Sequence, residues 1–140
     1  METLEQMRSK RAWKDVSDRA TALGADFKKY KITSKGAPMM IMNSGLMATL
    51  AFYQSRGEKD KVACRAFVED VMSWLIEQKI LVGIGAASGT PPRDPFAPVM
   101  GTLLNAPSAV YQQATTETLA YLRWLRQFAD AVDTQSTPKQ

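Results

Sequence analysis

The sequence predicts an all-α protein, a single compact bundle of about five to six helices with antiparallel neighbours. Three observations predict it. Apolar residues return at steps of three and four through the long segments. No segment alternates apolar and polar residues as a half-buried strand would; only Ile80-Leu81-Val82 could pair, and one strand makes no sheet. Residues that start or stop helices stand at the segment ends. A length of 140 residues suits one core. We assign residues 1–132 to one helical-bundle domain and 133–140 to a polar, flexible tail.

The first helix is predicted from Thr3 to Leu23. Leu4, Met7, Arg11, Ala12, Val16, Ala20 and Leu23 lie along one stripe, Thr3 can cap it and Gly24 can stop it. Asp26 to Gly36 reads as a basic, polar connector with little periodicity. Pro38 suits a first helical turn. Asn43 and Ser44 can each cap a following helix, so Pro38 to Ser55 forms two helices, or one helix kinked at Asn43–Gly45. The same two side chains could instead face outward to a binding partner. A further helix is expected over about 58–79, with Val62, Phe67, Val71, Trp74, Leu75 and Leu81 as its apolar set. Ile80 to Phe96 holds three glycines and three prolines before Phe96 and reads as a long loop. Pro95 to Leu104 forms a short helix. Pro107 to Val132 forms the last long one, with Tyr111, Thr115, Leu119, Leu122, Leu125, Phe128, Ala129 and Val132 as its stripe.

Composition narrows the chemistry. There is no histidine, which removes Ser-His-Asp and Cys-His arrangements and the commonest metal ligand. One cysteine, Cys64, makes neither an intrachain disulfide nor a four-ligand zinc site, and suits a reducing cytoplasm. It reads as a small buried hydrophobe. Glu69-Asp70 and Glu58-x-Asp60 match no calcium loop and read as solvated helix charges. Gly83 to Gly89 is glycine-rich, but Thr90-Pro91-Pro92 follows it where a phosphate loop needs a helix, and no Gly-Lys-Ser/Thr is present. Trp13, Trp74 and Trp124 sit on three predicted helices and read as packing residues. No run is long and apolar enough for a membrane span, and the N-terminus lacks a signal-peptide core. The expectations are therefore no catalytic residues, no metal, no cofactor and no membrane partner.

The charge is localised. Residues 1–35 hold nine basic and five acidic residues, a surplus of four; residues 36–140 hold nine of each. The formal net charge of +4 therefore comes from the first quarter. Lys28 to Lys35, KKYKITSK, has four lysines and no acid. A concentrated surplus suits a polyanion. The alternative is a solvated, solubilising surface.

Two segments also point to a family: Pro38 to Gly57, PMMIMNSGLMATLAFYQSRG, and Glu117 to Ala131, ETLAYLRWLRQFADA. With the opening TLEQMRSKRAW, they resemble the small α-helical subunit of type III-B CRISPR effector complexes, the Cmr RNA-silencing complexes. The resemblance covers nearly the whole chain and lies in the order and spacing of segments. It implies a non-catalytic, cytoplasmic helical bundle whose copies stack head to tail as a minor filament beside a backbone filament holding the guide RNA. The target RNA runs between the two. The implied partners are the backbone subunit, further copies of this chain, and guide and target RNA.

Charge and spacing nominate the RNA-binding residues: Lys10, Arg11, Lys14, Lys28, Lys29, Lys31 and Lys35, then Arg123 and Arg126. Lysines about a turn apart can meet successive phosphates without reading bases. The competing reading is a helical adaptor that binds proteins only. A nucleotide-using enzyme built on the glycine loop is the third.

Overall fold

The computed structural model describes residues 1–81 and 94–136, and it is all-α; no strand occurs among the described residues. α1 runs Leu4–Leu23 and a single 3-10 turn, Gly24–Asp26, leads into α2, Phe27–Ser44. α3 is Leu46–Gln54, α4 Lys61–Glu77, α5 Phe96–Leu104 and α6 Ser108–Ser136.

α1 starts and stops as the sequence predicts. The Gln6 amide donates to the Thr3 hydroxyl at 3.1 Å, and the Thr3 amide donates to the Gln6 side chain at 2.9 Å. This reciprocal box satisfies two groups that a helix start leaves open. Gly24 ends the helix at φ +55°.

α2 is the main correction. The stretch read as a connector, Asp26 to Gly36, is helical from Phe27 onward and continues through Pro38. Phe27, Tyr30, Ser34, Ala37 and Ile41 are buried at alternating steps of three and four. This stripe packs on α4 and α6, and burial carries the helix past a proline that supplies no amide at position 38. The Ser34 and Thr33 hydroxyls turn back to the Tyr30 and Lys29 carbonyls, so their polar atoms are satisfied inside the bundle.

The break at Asn43–Gly45 is real, but its chemistry differs from the expectation. Asn43 and Ser44 are the last two residues of α2, and neither caps α3. Gly45 makes the corner at φ +95°, ψ 162°, where a side chain is strained. Its amide donates to the Ile41 carbonyl at 2.8 Å, and its carbonyl accepts from the Thr49 hydroxyl at 2.8 Å. The open Met47 amide is met from across the bundle by the Tyr111 hydroxyl of α6 at 3.1 Å.

α4 runs antiparallel to α1, since Arg11 reaches Ser73 and Glu77 while Arg19 reaches Ala66 and Asp70. It buries Phe67, Val71, Trp74 and Leu75 as expected; Val62 is instead exposed, and the neighbouring Ala63 and Cys64 turn inward in its place. α4 closes through Lys79 at φ 61°, with the Ile80 amide donating to Leu75 and the Lys79 amide to Ile76. The glycine-rich run Gly83–Gly89 lies outside the described residues. α5 and α6 form where predicted, and α6 continues to Ser136. One core joins α1 to α6, centred on Val16, Tyr30, Leu50, Phe67, Trp74 and Tyr121.

Candidate nucleic-acid interface

Making α2 a helix redistributes the basic run around an axis. Lys28 and Lys35 fall on its outer stripe with Ile32 and Met39, at steps of four, three and four. Lys29 turns toward α4 and donates to the Lys59 carbonyl at 2.7 Å, with Asp60 3.7 Å away. Lys31 turns the other way, to Asp130 of α6 at 3.4 Å, which Lys35 also approaches at 3.5 Å. Burial pushes the Asp130 carboxyl upward, but Lys35 and Lys31 together outweigh it and hold the group below its usual range. The four lysines therefore do not form one patch. Lys28 is exposed with no ion partner among the described residues.

On α1, Lys10 and Lys14 are exposed and make surface ion pairs with Glu2 and, at 3.0 Å, Asp18. Such pairs contribute little and exchange readily with a phosphate. Arg11 is different. Its guanidinium is largely buried over the Trp74 ring, 5.9 Å from the centroid, and pairs with Asp15 and Glu77. It is committed to joining α1 and α4. Arg123 and Arg126 stand exposed on α6.

Sequence reasoning missed a set of buried acids. Asp70, read as a solvated charge, is 6% exposed. It accepts from the Tyr30 hydroxyl at 2.6 Å and from two nitrogens of Arg19, at 2.8 and 3.1 Å. Burial raises its pKa to about 6, against the hydrogen bonds from Arg19 and Tyr30 and with the help of nearby Asp15. Burial likewise pushes the Tyr30 and Tyr121 hydroxyls upward, reinforced by Asp70 and Asp15. Asp15 accepts from the Tyr121 hydroxyl and pairs with Arg11. Glu117 accepts from Arg8 twice, each at 2.7 Å, and from the Trp74 indole at 2.9 Å. The Glu117 hydrogen bond raises the Arg8 pKa, outweighing burial. The available signal was position: Asp15, Asp70 and Glu117 each fall within an apolar stripe, where a solvated charge has no place.

Arg8, Arg11 and Arg19 thus hold helices together, while the lysines and the α6 arginines meet solvent. Burial raises the Cys64 thiol pKa, and Thr33 is its 3.6 Å neighbour, which suits a packing role. No group of three or more Cys, Asp or Glu is placed to hold a metal ion among the described residues. Nor is any described helix long and apolar enough to cross a membrane. A groove of about 550 Å³ between α1 and α4 is lined by Arg11, Asp15, Arg19 and Asp70, with Asp18, Glu69 and Glu77. With Lys14 it has three cations against five carboxylates, so it offers an anion no attraction.

A crystal structure of a CRISPR-associated Cmr5 family protein from Thermus thermophilus shares this fold. Its TM-score is 0.70 at 25% identity, covering 94% of this chain and 97% of that one. The family model for the CRISPR-associated protein Cas_Cmr5 matches residues 4–132, from the first residue of α1 into the last turns of α6. The chain belongs to the Cas_Cmr5 family of CRISPR-associated proteins, as a small Cmr-type subunit.

Proposed function

We propose that this chain is the non-catalytic small subunit of a cytoplasmic type III-B effector complex. Its copies stack head to tail as the minor filament, beside a backbone subunit that carries the guide RNA. It helps hold the target RNA by contacts to phosphates that carry no sequence information. The observation that carries this reading is the family match over residues 4–132. Further support comes from Lys10 and Lys14 on α1, Lys28 and Lys35 on α2, and Arg123 and Arg126 on α6, whose charges are exposed. Lys29 and Lys31 are flank contributors, and Arg11 acts indirectly by fixing the α1–α4 angle. Head-to-tail stacking is a heterologous contact and requires two different surfaces.

The second reading, an adaptor for proteins alone, is favoured by one feature. Ile32, Met39 and Met42 on α2 and Phe52 on α3 are exposed, a density that suits a protein contact. The two readings separate in one experiment. Tagged protein is recovered from its native cells, and the RNA and proteins that accompany it are sequenced and identified. Short guide RNAs together with several effector subunits are expected. Proteins without RNA would put the adaptor reading first.

A further inference from the structure

The seam between α1 and α6 carries a ladder of rings that phosphate contacts leave unused. Trp13 of α1 meets Phe128 of α6 edge to face, with centroids 5.3 Å apart, and Phe128 stacks on Trp124 at 5.6 Å. One end is fixed, since the Trp124 indole donates to Glu5 at 2.6 Å. The other end is open: Trp13 is 49% exposed, whereas Trp74 in the core is 2% exposed.

What surrounds an open ring decides what it suits. On the outer side of α1, the side chains about one turn from Trp13 are Ser9, Lys10 and Ser17; none is aliphatic. Across the seam, Arg123 lies near enough to act on the Glu5 carboxylate beside Trp124. A protein anchor is usually seated within a well-packed, desolvated rim. The exposed Ile32, Met39 and Phe52 on α2 and α3 come closer to that, and Trp13 is not among them. A planar ring one turn from a lysine and two hydroxyls is instead the arrangement that receives a base and its flanking phosphate.

We infer that Trp13 is a stacking platform for one unpaired base of single-stranded RNA, with Lys10, one turn away on α1, on the adjacent phosphate and Arg123, at the Trp124 end of the ladder, further along the strand. The inference rests on the RNA-holding role above and adds a contact to a base face. Stacking tolerates any sequence, because every base has a π-face. The Lys10–Glu2 pair is a surface pair that a phosphate can replace.

The test uses the full-length chain at low salt and two labelled strands of equal length: oligoadenylate, and the same backbone with abasic sites. The wild type is expected to prefer the intact strand and to show quenched tryptophan emission on binding it. Trp13→Ala should lose about five- to a hundredfold in affinity for the intact strand, falling to the abasic level, the range one stacked base supplies. Trp13→Phe keeps a ring and should retain most of the affinity while losing most of the quenching. Helical circular dichroism confirms that both variants fold. If the wild type binds both strands alike and Trp13→Ala changes neither, the platform is overturned; a steep salt dependence in that case leaves phosphate contact standing. Failure of both strands to bind at low salt removes both readings. Unchanged RNA affinity with loss of a co-purifying subunit also overturns the platform and assigns Trp13 to a protein contact.

Discussion

Asp70 sits where its hydrogen-bond partners and its burial oppose each other over charge. Arg19 and Tyr30 favour the carboxylate, while burial and Asp15 favour the acid, and burial wins, placing the pKa at about 6. A group whose folded pKa is raised binds its proton more tightly in the native state. Its contribution is therefore fully present below the unfolded value near 3.8 and is lost as pH rises through about 6. At ~1.4 kcal/mol per tenfold change in proton affinity, the loss is on the order of 3 kcal/mol. Urea titrations of wild type and Asp70→Asn between these two pH values check this. The variant should lack the fall in stability across the window; an unchanged fall would assign it elsewhere. Gly45 gives a second test at the same scale. A Cβ there would meet the Tyr111 hydroxyl at 3.5 Å, an ordinary contact, so the cost of Gly45→Ala is in the backbone. A loss of about 1–3 kcal/mol is expected by thermal or urea unfolding. Gly45 was legible as a break, but the Tyr111 hydroxyl that completes the corner was not, because it comes from 64 residues away.

The helices differ in how openly the sequence announces them. α1, α4, α5 and α6 follow apolar periods bounded by Thr3, Gly57, Pro95 and Pro107, and those marks are local. α2 hides because its buried stripe includes Ser34 and Ala37 between Phe27, Tyr30 and Ile41, and because Pro38 interrupts it. Small and polar residues face inward there since their hydroxyls bond to the preceding turn, a solution invisible to a hydropathy count. The buried acids were missed for a related reason: a carboxylate can be buried only when distant partners meet it. Glu117 shows how much depends on such partners. It ties α6 to α1 through Arg8 and to α4 through Trp74. Removing it in Glu117→Ala leaves the mostly buried Arg8 guanidinium with the exposed Glu5, and the Trp74 indole with no acceptor. A loss on the order of 3 kcal/mol is expected in chemical denaturation. Glu117→Gln, which keeps an acceptor for the indole, should lose less.

At the scale of the whole molecule, the fold sorts the nine basic residues of 1–35: Lys10 and Lys14 stand exposed on α1, and the other seven fall into three kinds. Arg8, Arg11 and Arg19 are spent inside, Lys29 and Lys31 are turned to the flanks, and Lys28 and Lys35 lie on the outer stripe of α2. Composition alone cannot make this division, and it separates a field effect from a contact effect. Replacing Lys28 and Lys35 by Gln, or Lys29 and Lys31 by Gln, removes the same two charges. If RNA responds only to the net field, the two double variants should weaken binding alike. If individual lysines meet phosphates, the outer pair should cost more. On a single strand, each lost phosphate contact lowers the slope of log affinity against log salt by ~0.7, so the outer pair should flatten it by roughly 1.4. The flank pair should flatten it less, because Lys29 is turned to the Lys59 carbonyl and Asp60 and Lys31 is largely covered beside Asp130, whereas Lys35, which also approaches Asp130, stays exposed on the outer stripe. The measurement is a salt series of RNA binding on three proteins. Equal slopes for the two variants would mean that the charge acts as a diffuse field and that the outer stripe of α2 has no special place on the RNA path.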